Sequence, residues 1–148
     1  MLKMLRQRIQ DDKGFTLIEL MVVVLIIAIL LAIAIPTFLG LRERAQDRAA
    51  QSNLRNAMTA AKAYFTDGET YAGFDAEAAN IEPSLSWNTA AASAQNVISI
   101  RDMGANTITL STESSSGTIF CLADVSGQTG EGTGEHATAA ACAGSADW

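Results

Sequence analysis

The chain has 148 residues, a net charge of −6 and two cysteines, and 49% of it is hydrophobic. That length holds one small domain beside a membrane segment. The charge is uneven: residues 1–14 carry +2, residues 15–62 carry +2 and residues 63–148 carry −10, so the distal half should repel a nucleic-acid backbone.

In chain order, the first distinctive stretch is Gly14-Phe15-Thr16-Leu17-Ile18-Glu19, followed by an apolar run from Leu20 to Ile35. A formal charge in hydrocarbon costs roughly 2.5–3.5 kcal/mol on insertion scales, so Glu19 at the edge of this run needs a partner or a route to the interface. Phe15 to Leu41 is long enough to cross a bilayer as a helix. Basic residues flank this segment on both sides, which leaves its orientation open by charge alone. Pro36 cannot donate to the carbonyl of Ala32, and its ring crowds that turn, so a kink or weak point is expected there. Gly40 adds a second weak point.

Beyond Leu41 the chain stays rich in Ala, Arg, Gln and Leu to about Phe65, and reads as a continuation of the helix. Ala50, Leu54, Ala57, Met58, Ala61 and Phe65 recur at spacings of three and four and form one apolar stripe, with Tyr64 on its edge. Arg44, Arg48, Arg55 and Lys62 are expected on the opposite side, as a solvated or subunit-facing ridge. Thr66-Asp67-Gly68 supplies a stop, with Gly68 suited to the left-handed position after the helix. A helix from Phe15 to Phe65 would be roughly 75 Å long, and its first half must be covered by lipid or by copies of itself.

From Gly68 to about Ala94 the chain reads as irregular, with Tyr71, Phe74 and Trp87 expected over the helix stripe. Three β-rich runs follow, Asn96–Arg101, Asn106–Ser111 and Thr118–Ala123, separated by turn signals at Met103–Ala105 and Ser114–Gly117. Short connections favour an antiparallel meander laid on the helix. The expected fold class is therefore α+β. A Gly-rich tail from Gly127 to Gly134 and an alanine run to Cys142 close the chain.

Cys121 and Cys142 allow one pairing, which would pin the tail to the third strand outside the cytoplasm; two buried free thiols are the alternative. The catalytic inventory is poor. His136 is the only histidine and reads as exposed and without a role. Glu131 and Glu135 with Asp124 upstream are the acids to consider for calcium, but their spacing matches no EF-hand loop. No nucleophile motif and no phosphate-binding loop is present, so neither an enzyme nor a cofactor or metal is expected.

Gly14-Phe15-Thr16-Leu17-Ile18-Glu19 with the apolar run behind it resembles the class III signal peptide of type IV pilins and pseudopilins. The resemblance covers about a quarter of the chain. It implies that a prepilin peptidase cuts after Gly14, that Phe15 becomes the methylated N-terminus, and that Glu19 is the acid that meets a neighbouring Phe15 amine during assembly. Pro36 falls where such proteins carry a helix proline that loosens on leaving lipid, and the two cysteines would close a variable loop in the head. The implied organisation is a leader at 1–14, a transmembrane and filament-core helix at 15–41, an amphipathic continuation at 42–67 and a globular head at 68–148. The implied role is a structural subunit of a type IV pilus supporting adhesion, motility or DNA uptake, first in the cytoplasmic membrane and then in an extracellular filament. Its implied partners are copies of itself, the prepilin peptidase and methyltransferase, the pilus assembly platform and the membrane. Nucleic acid is not expected on the acidic head but is compatible with the filament. Rival readings are a pseudopilin of a type II secretion system, a binding protein released by ordinary signal-peptide cleavage after Ala34, and a permanently anchored membrane protein.

Overall fold

The computed structural model describes residues 14–89, 96–134, 136 and 138–144. The leader up to Lys13 and Glu135 lie outside the described residues. The chain divides into two units, Met1–Gly40 and Leu41–Trp148.

Among its described residues, the first unit contains the start of one α-helix, α1 (Leu17–Gly68). Phe15 and Thr16 precede it, outside any regular element. The helix is apolar in every direction here, which is the pattern of a segment surrounded by hydrocarbon or by other helices. Every large side chain from Leu17 to Leu41 is exposed, and the most apolar eighteen-residue stretch has a mean hydropathy of 3.3. The helix is long and apolar enough to cross a membrane. It continues through Pro36. Thr37 follows, and its hydroxyl donates to the Ile33 carbonyl at 3.1 Å. That bond hides the one side-chain hydroxyl of the turn inside the helix's own ladder.

In the second unit α1 becomes one-sided. Ala50, Leu54, Ala57, Met58, Ala60 and Ala61 are buried, with Tyr64 and Phe65 half-buried beside them. Small residues dominate this face, so the sheet can approach the helix backbone closely. Gly68 is still helical, and the left-handed position expected for it is taken instead by Glu69, with φ 52°. Glu69 donates its N–H to the Phe65 carbonyl at 2.7 Å, which carries the helix one residue further than the Gly68 stop signal implied.

The stretch expected to be irregular holds a second helix, α2 (Phe74–Ile81), and a short strand, β1 (Ser86–Asn88). Asp75 and Glu77 occupy the first turn of α2, where the helix dipole favours negative charge. Gly73 before it sits at φ 90°, and a Cβ there would lie 3.1 Å from the Tyr64 hydroxyl, so only glycine fits without strain. Aromatic rings bind this segment to α1: Tyr64 meets Phe74 at 5.6 Å, Phe65 meets Tyr71 at 4.6 Å, and Trp87 stands edge-on to Phe74 at 5.5 Å. The Trp87 indole N–H donates to the Glu82 carbonyl.

Four longer strands follow: β2 (Val97–Met103), β3 (Thr107–Glu113), β4 (Ile119–Val125) and β5 (Gln128–Thr133). The five strands form one sheet in the order β1-β2-β3-β4-β5. The last four are antiparallel neighbours, as short connections require, whereas β1 pairs with β2 in parallel. β2 carries an irregularity between Ile100 and Asp102. The alternation of the strands sends Ile98, Ile100, Ile108, Leu110, Phe120 and Leu122 into the core shared with α1, Tyr71 and Phe74.

β5 was expected as loose Gly-rich tail. It is a strand because Ser126 and Gly127, both at positive φ, make a two-residue hairpin that returns the chain alongside β4. A final short helix, α3 (Ala139–Ala143), is capped by the Thr138 hydroxyl, which accepts from the Ala141 N–H. It packs on β4 and β5. There Cys142 is joined to Cys121, with the Cα atoms 6.1 Å apart, and both residues are buried with Ala123. A bridge closing a loop of this length, 21 residues apart in sequence, is worth about 3 kcal/mol in the chain-entropy model.

Candidate processing and assembly site

Gly14 and Phe15 are exposed and lie outside the helix, Phe15 at 87% of its full exposure. Glu19 sits in the first turn of α1. Its carboxylate is engaged locally. The Thr16 N–H donates to Oε2 at 2.9 Å and the Thr16 hydroxyl donates to the same oxygen at 2.6 Å. In return the Glu19 N–H donates to the Thr16 hydroxyl oxygen at 3.2 Å. This is a capping box, in which the residue before the helix and the third residue of the helix satisfy each other's N–H groups. It satisfies two of the N–H groups that the start of a helix leaves unpaired.

Thr16 was missed from the sequence, where Glu19 was read only as an acid in oil. The signal was present, since Thr-x-x-Glu before an apolar run is the capping-box pattern and here reads Thr16-Leu17-Ile18-Glu19. All of these bonds to the carboxylate fall on Oε2. A carboxylate has about four acceptor positions, so Oε1 keeps its capacity for a second donor.

The remaining residues singled out from the sequence lie elsewhere. Pro36 is inside α1, many turns along from Glu19. Cys121 and Cys142 are bonded to each other in the second unit. The basic ridge is corrected by the structure. Arg55 and Lys62 do not stand free on the far side of α1. Lys62 Nζ is 3.0 Å from Asp124 Oδ2 on β4 and also donates to the Thr129 hydroxyl on β5, while Arg55 is 3.8 Å from Glu131 Oε1. Arg44 and Arg48 are exposed and make no ion pair among the described residues.

Asp124 is fully buried. Besides Lys62 it accepts from the Gly127 N–H at 2.9 Å, from the Thr129 hydroxyl and from the Tyr71 hydroxyl. Its lone pairs and charge are thus used inside the head, and Glu131 lies 3.8 Å from Arg55; Glu135, the third acid considered for calcium from sequence, lies outside the described residues. Among the described residues no group of three His, Cys, Asp or Glu side chains could hold a metal ion. His136 is half-buried rather than exposed, with Nε2 2.9 Å from the Thr133 carbonyl.

The N-terminal segment thus combines an exposed Gly14–Phe15 bond, a capped acid one turn on and an apolar helix exposed on all sides. Residues 9–35 match the family model for the prokaryotic N-terminal methylation motif. In that motif, and in its α+β arrangement of long helix and mostly antiparallel sheet, the chain resembles type IV pilins. It is 48% identical over 63 residues to the type IV major pilin protein PilA of Myxococcus xanthus, covering 43% of this chain and 29% of the relative. It is 44% identical over 62 residues to the type IV wide pilus major component PilA4 of Thermus thermophilus, covering 42% of this chain and 47% of the relative. A fimbrial protein of Pseudomonas aeruginosa is 49% identical over 58 residues, 39% of this chain and 38% of that protein. The chain thus spans less than half the length of each of these relatives. No solved structure matches the chain at a comparable level.

Proposed function

We propose that the chain is a prepilin, cut after Gly14, methylated on Phe15 and assembled as a structural subunit of a type IV pilus filament rather than working as an enzyme. The observation that carries this reading is the combination of Glu19, held through Oε2 alone, with an apolar helix that is exposed from Leu17 to Leu41. Such a surface cannot face water. In this reading it faces lipid first, with the head outside the cytoplasmic membrane, and then the same surface of other copies. The names of the relatives, major pilins and a fimbrial protein, support a major filament component over a pseudopilin.

Glu19 then has two successive uses. In the membrane the capping box supplies its donors within the chain. In the filament Oε1 receives the amine of a neighbouring Phe15. An ion pair buried in this way adds little net stability, because desolvation offsets the attraction. Its value lies in register, since packing of apolar helices on one another is nearly non-directional and a polar pair is not.

The deciding experiment is mass spectrometry of the mature protein. An N-terminus at Phe15 carrying one methyl group is expected, with processing lost when Gly14 is replaced by a bulky residue. A mature terminus after Ala34 establishes instead a released protein, and an intact leader establishes a permanent anchor.

A further inference from the structure

Arg44, Arg48, Arg55 and Lys62 fall on one line of α1, because at 100° per residue their spacings of four and seven return to the same side of the helix within about 40°. The structure divides this line in two. Its distal half is satisfied within the chain, Arg55 by Glu131 and Lys62 by Asp124. Its proximal half, Arg44 and Arg48, is exposed and makes no ion pair among the described residues. Between them Asp47 accepts a hydrogen bond from the Ser116 hydroxyl of the β3–β4 turn. The head therefore reaches down the helix as far as Asp47 and leaves the two arginines beside it uncovered.

The second unit also holds the complement. Asp67 and Glu69 at the end of α1 and Asp75 and Glu77 in the first turn of α2 are all exposed, and none has an ion pair among the described residues. Glu77 accepts only from the neutral Asn80 amide, at 3.0 Å. From residue 63 onward the chain has a single cation, Arg101, against eleven acids. These four acids thus have no ion-pair partner among the described residues, and the cations that lack carboxylates lie some twenty-two residues earlier on the helix.

We propose that Arg44 and Arg48 of one copy dock on the acidic corner formed by Asp67, Glu69, Asp75 and Glu77 of a second copy. The proposal rests on the filament reading. Copies that share one membrane, and then one apolar core, stand parallel, so a basic patch and an acidic patch at different heights meet only if the copies are staggered. The offset is about 33 Å along the helix, at 1.5 Å per residue over some twenty-two residues. Two different patches in parallel copies make a heterologous contact, which propagates as an open array instead of closing as a dimer. The pairing of Glu19 with a neighbouring amine needs a much smaller stagger, of about four residues, so the two contacts belong to different neighbours in the array. Anionic lipid headgroups are the competing occupant for arginines just past an apolar run. Glu43 and Asp47 lie in the same two turns and leave residues 42–48 at only +1, which disfavours a lipid surface. Carboxylates held at fixed positions suit arginine's planar fork.

The test is a charge swap in the full chain, with sheared filament yield measured alongside processing and membrane-bound prepilin. Arg44→Glu with Arg48→Glu is expected to lower filament yield about tenfold or more, as does reversal of Asp75 and Glu77, or of Asp67 and Glu69, to lysine. Combining the arginine reversal with one of the reversed acidic pairs is expected to restore filaments, since the contact is rebuilt with opposite polarity. Unchanged yield from the arginine variant overturns the proposal. Loss that neither reversed acidic pair rescues also overturns it, and a matching fall in membrane-bound prepilin then assigns the arginines to lipid. Wild-type protein that is processed at Phe15 and forms filaments keeps the function standing whichever way the swap falls. Wild-type protein that forms none removes the function and this contact together.

Discussion

At the scale of single residues, Glu19 caps α1 and, in the proposed function, also sets register, and one substitution separates the two. Glu19→Gln keeps an oxygen to accept from Thr16, so the start of α1 is retained, while the charge is lost. Expected is normal membrane insertion with impaired filament yield; full yield removes the register role from the carboxylate. Tyr71 is the other informative residue. It is almost fully buried, and burial, followed by the charge and hydrogen bond of Asp124, pushes its pKa up to about 12. An unfolded tyrosine titrates near about 10. Between those values the folded head holds a proton that the unfolded chain has released. The associated stability is complete below about pH 10 and is lost as pH rises toward about 12. Tyr71→Phe is expected to flatten that alkaline decline in denaturation midpoint. A decline of the same steepness in the variant assigns it to another group.

At the scale of elements, α1 was legible in the sequence almost from end to end, because its two hydrophobic patterns are long and run on past Pro36 and Gly40. Apolarity on all sides marked the part before Leu41, and a one-sided stripe marked the part after it. The three central strands were legible from their β-branched residues. α2, β1, β5 and α3 were not. α2 and α3 are eight and five residues long, too short for a periodic pattern to rise above composition. β5 contains Gly130 and Gly132, which have low strand preference, and its extended form comes from the ladder with β4. The Ser126-Gly127 hairpin ahead of it was the usable clue. Pro36 belongs to this scale as well, since its effect is on one rung of α1. We propose that the missing bond to Ala32 lets this turn open in the filament; an interior proline costs about 3 kcal/mol relative to alanine in a helix exposed to water. Pro36→Ala is expected to give filaments that form but stretch less under load. Unaltered extensibility places the yielding point elsewhere in the helix.

At the scale of the whole molecule, the sequence disclosed what each part was made of but not which charges would meet. Arg55 and Lys62 share a helix line with Arg44 and Arg48, and spacing alone assigns all four to one ridge. Their division depends on where β4 and β5 end against the helix, and that is a product of the hairpin and of the packing beneath it. The candidate processing segment was legible for the opposite reason. Its features are consecutive in the chain, so no tertiary information is needed to find them. The head is fastened to α1 at Asp47, Arg55 and Lys62, over roughly 22 Å of helix. When tension runs along the helix axis these fastenings and the apolar face between them are strained side by side, in shear, and must give way together. A seam attached only at one end would instead peel open one bond at a time under far smaller force.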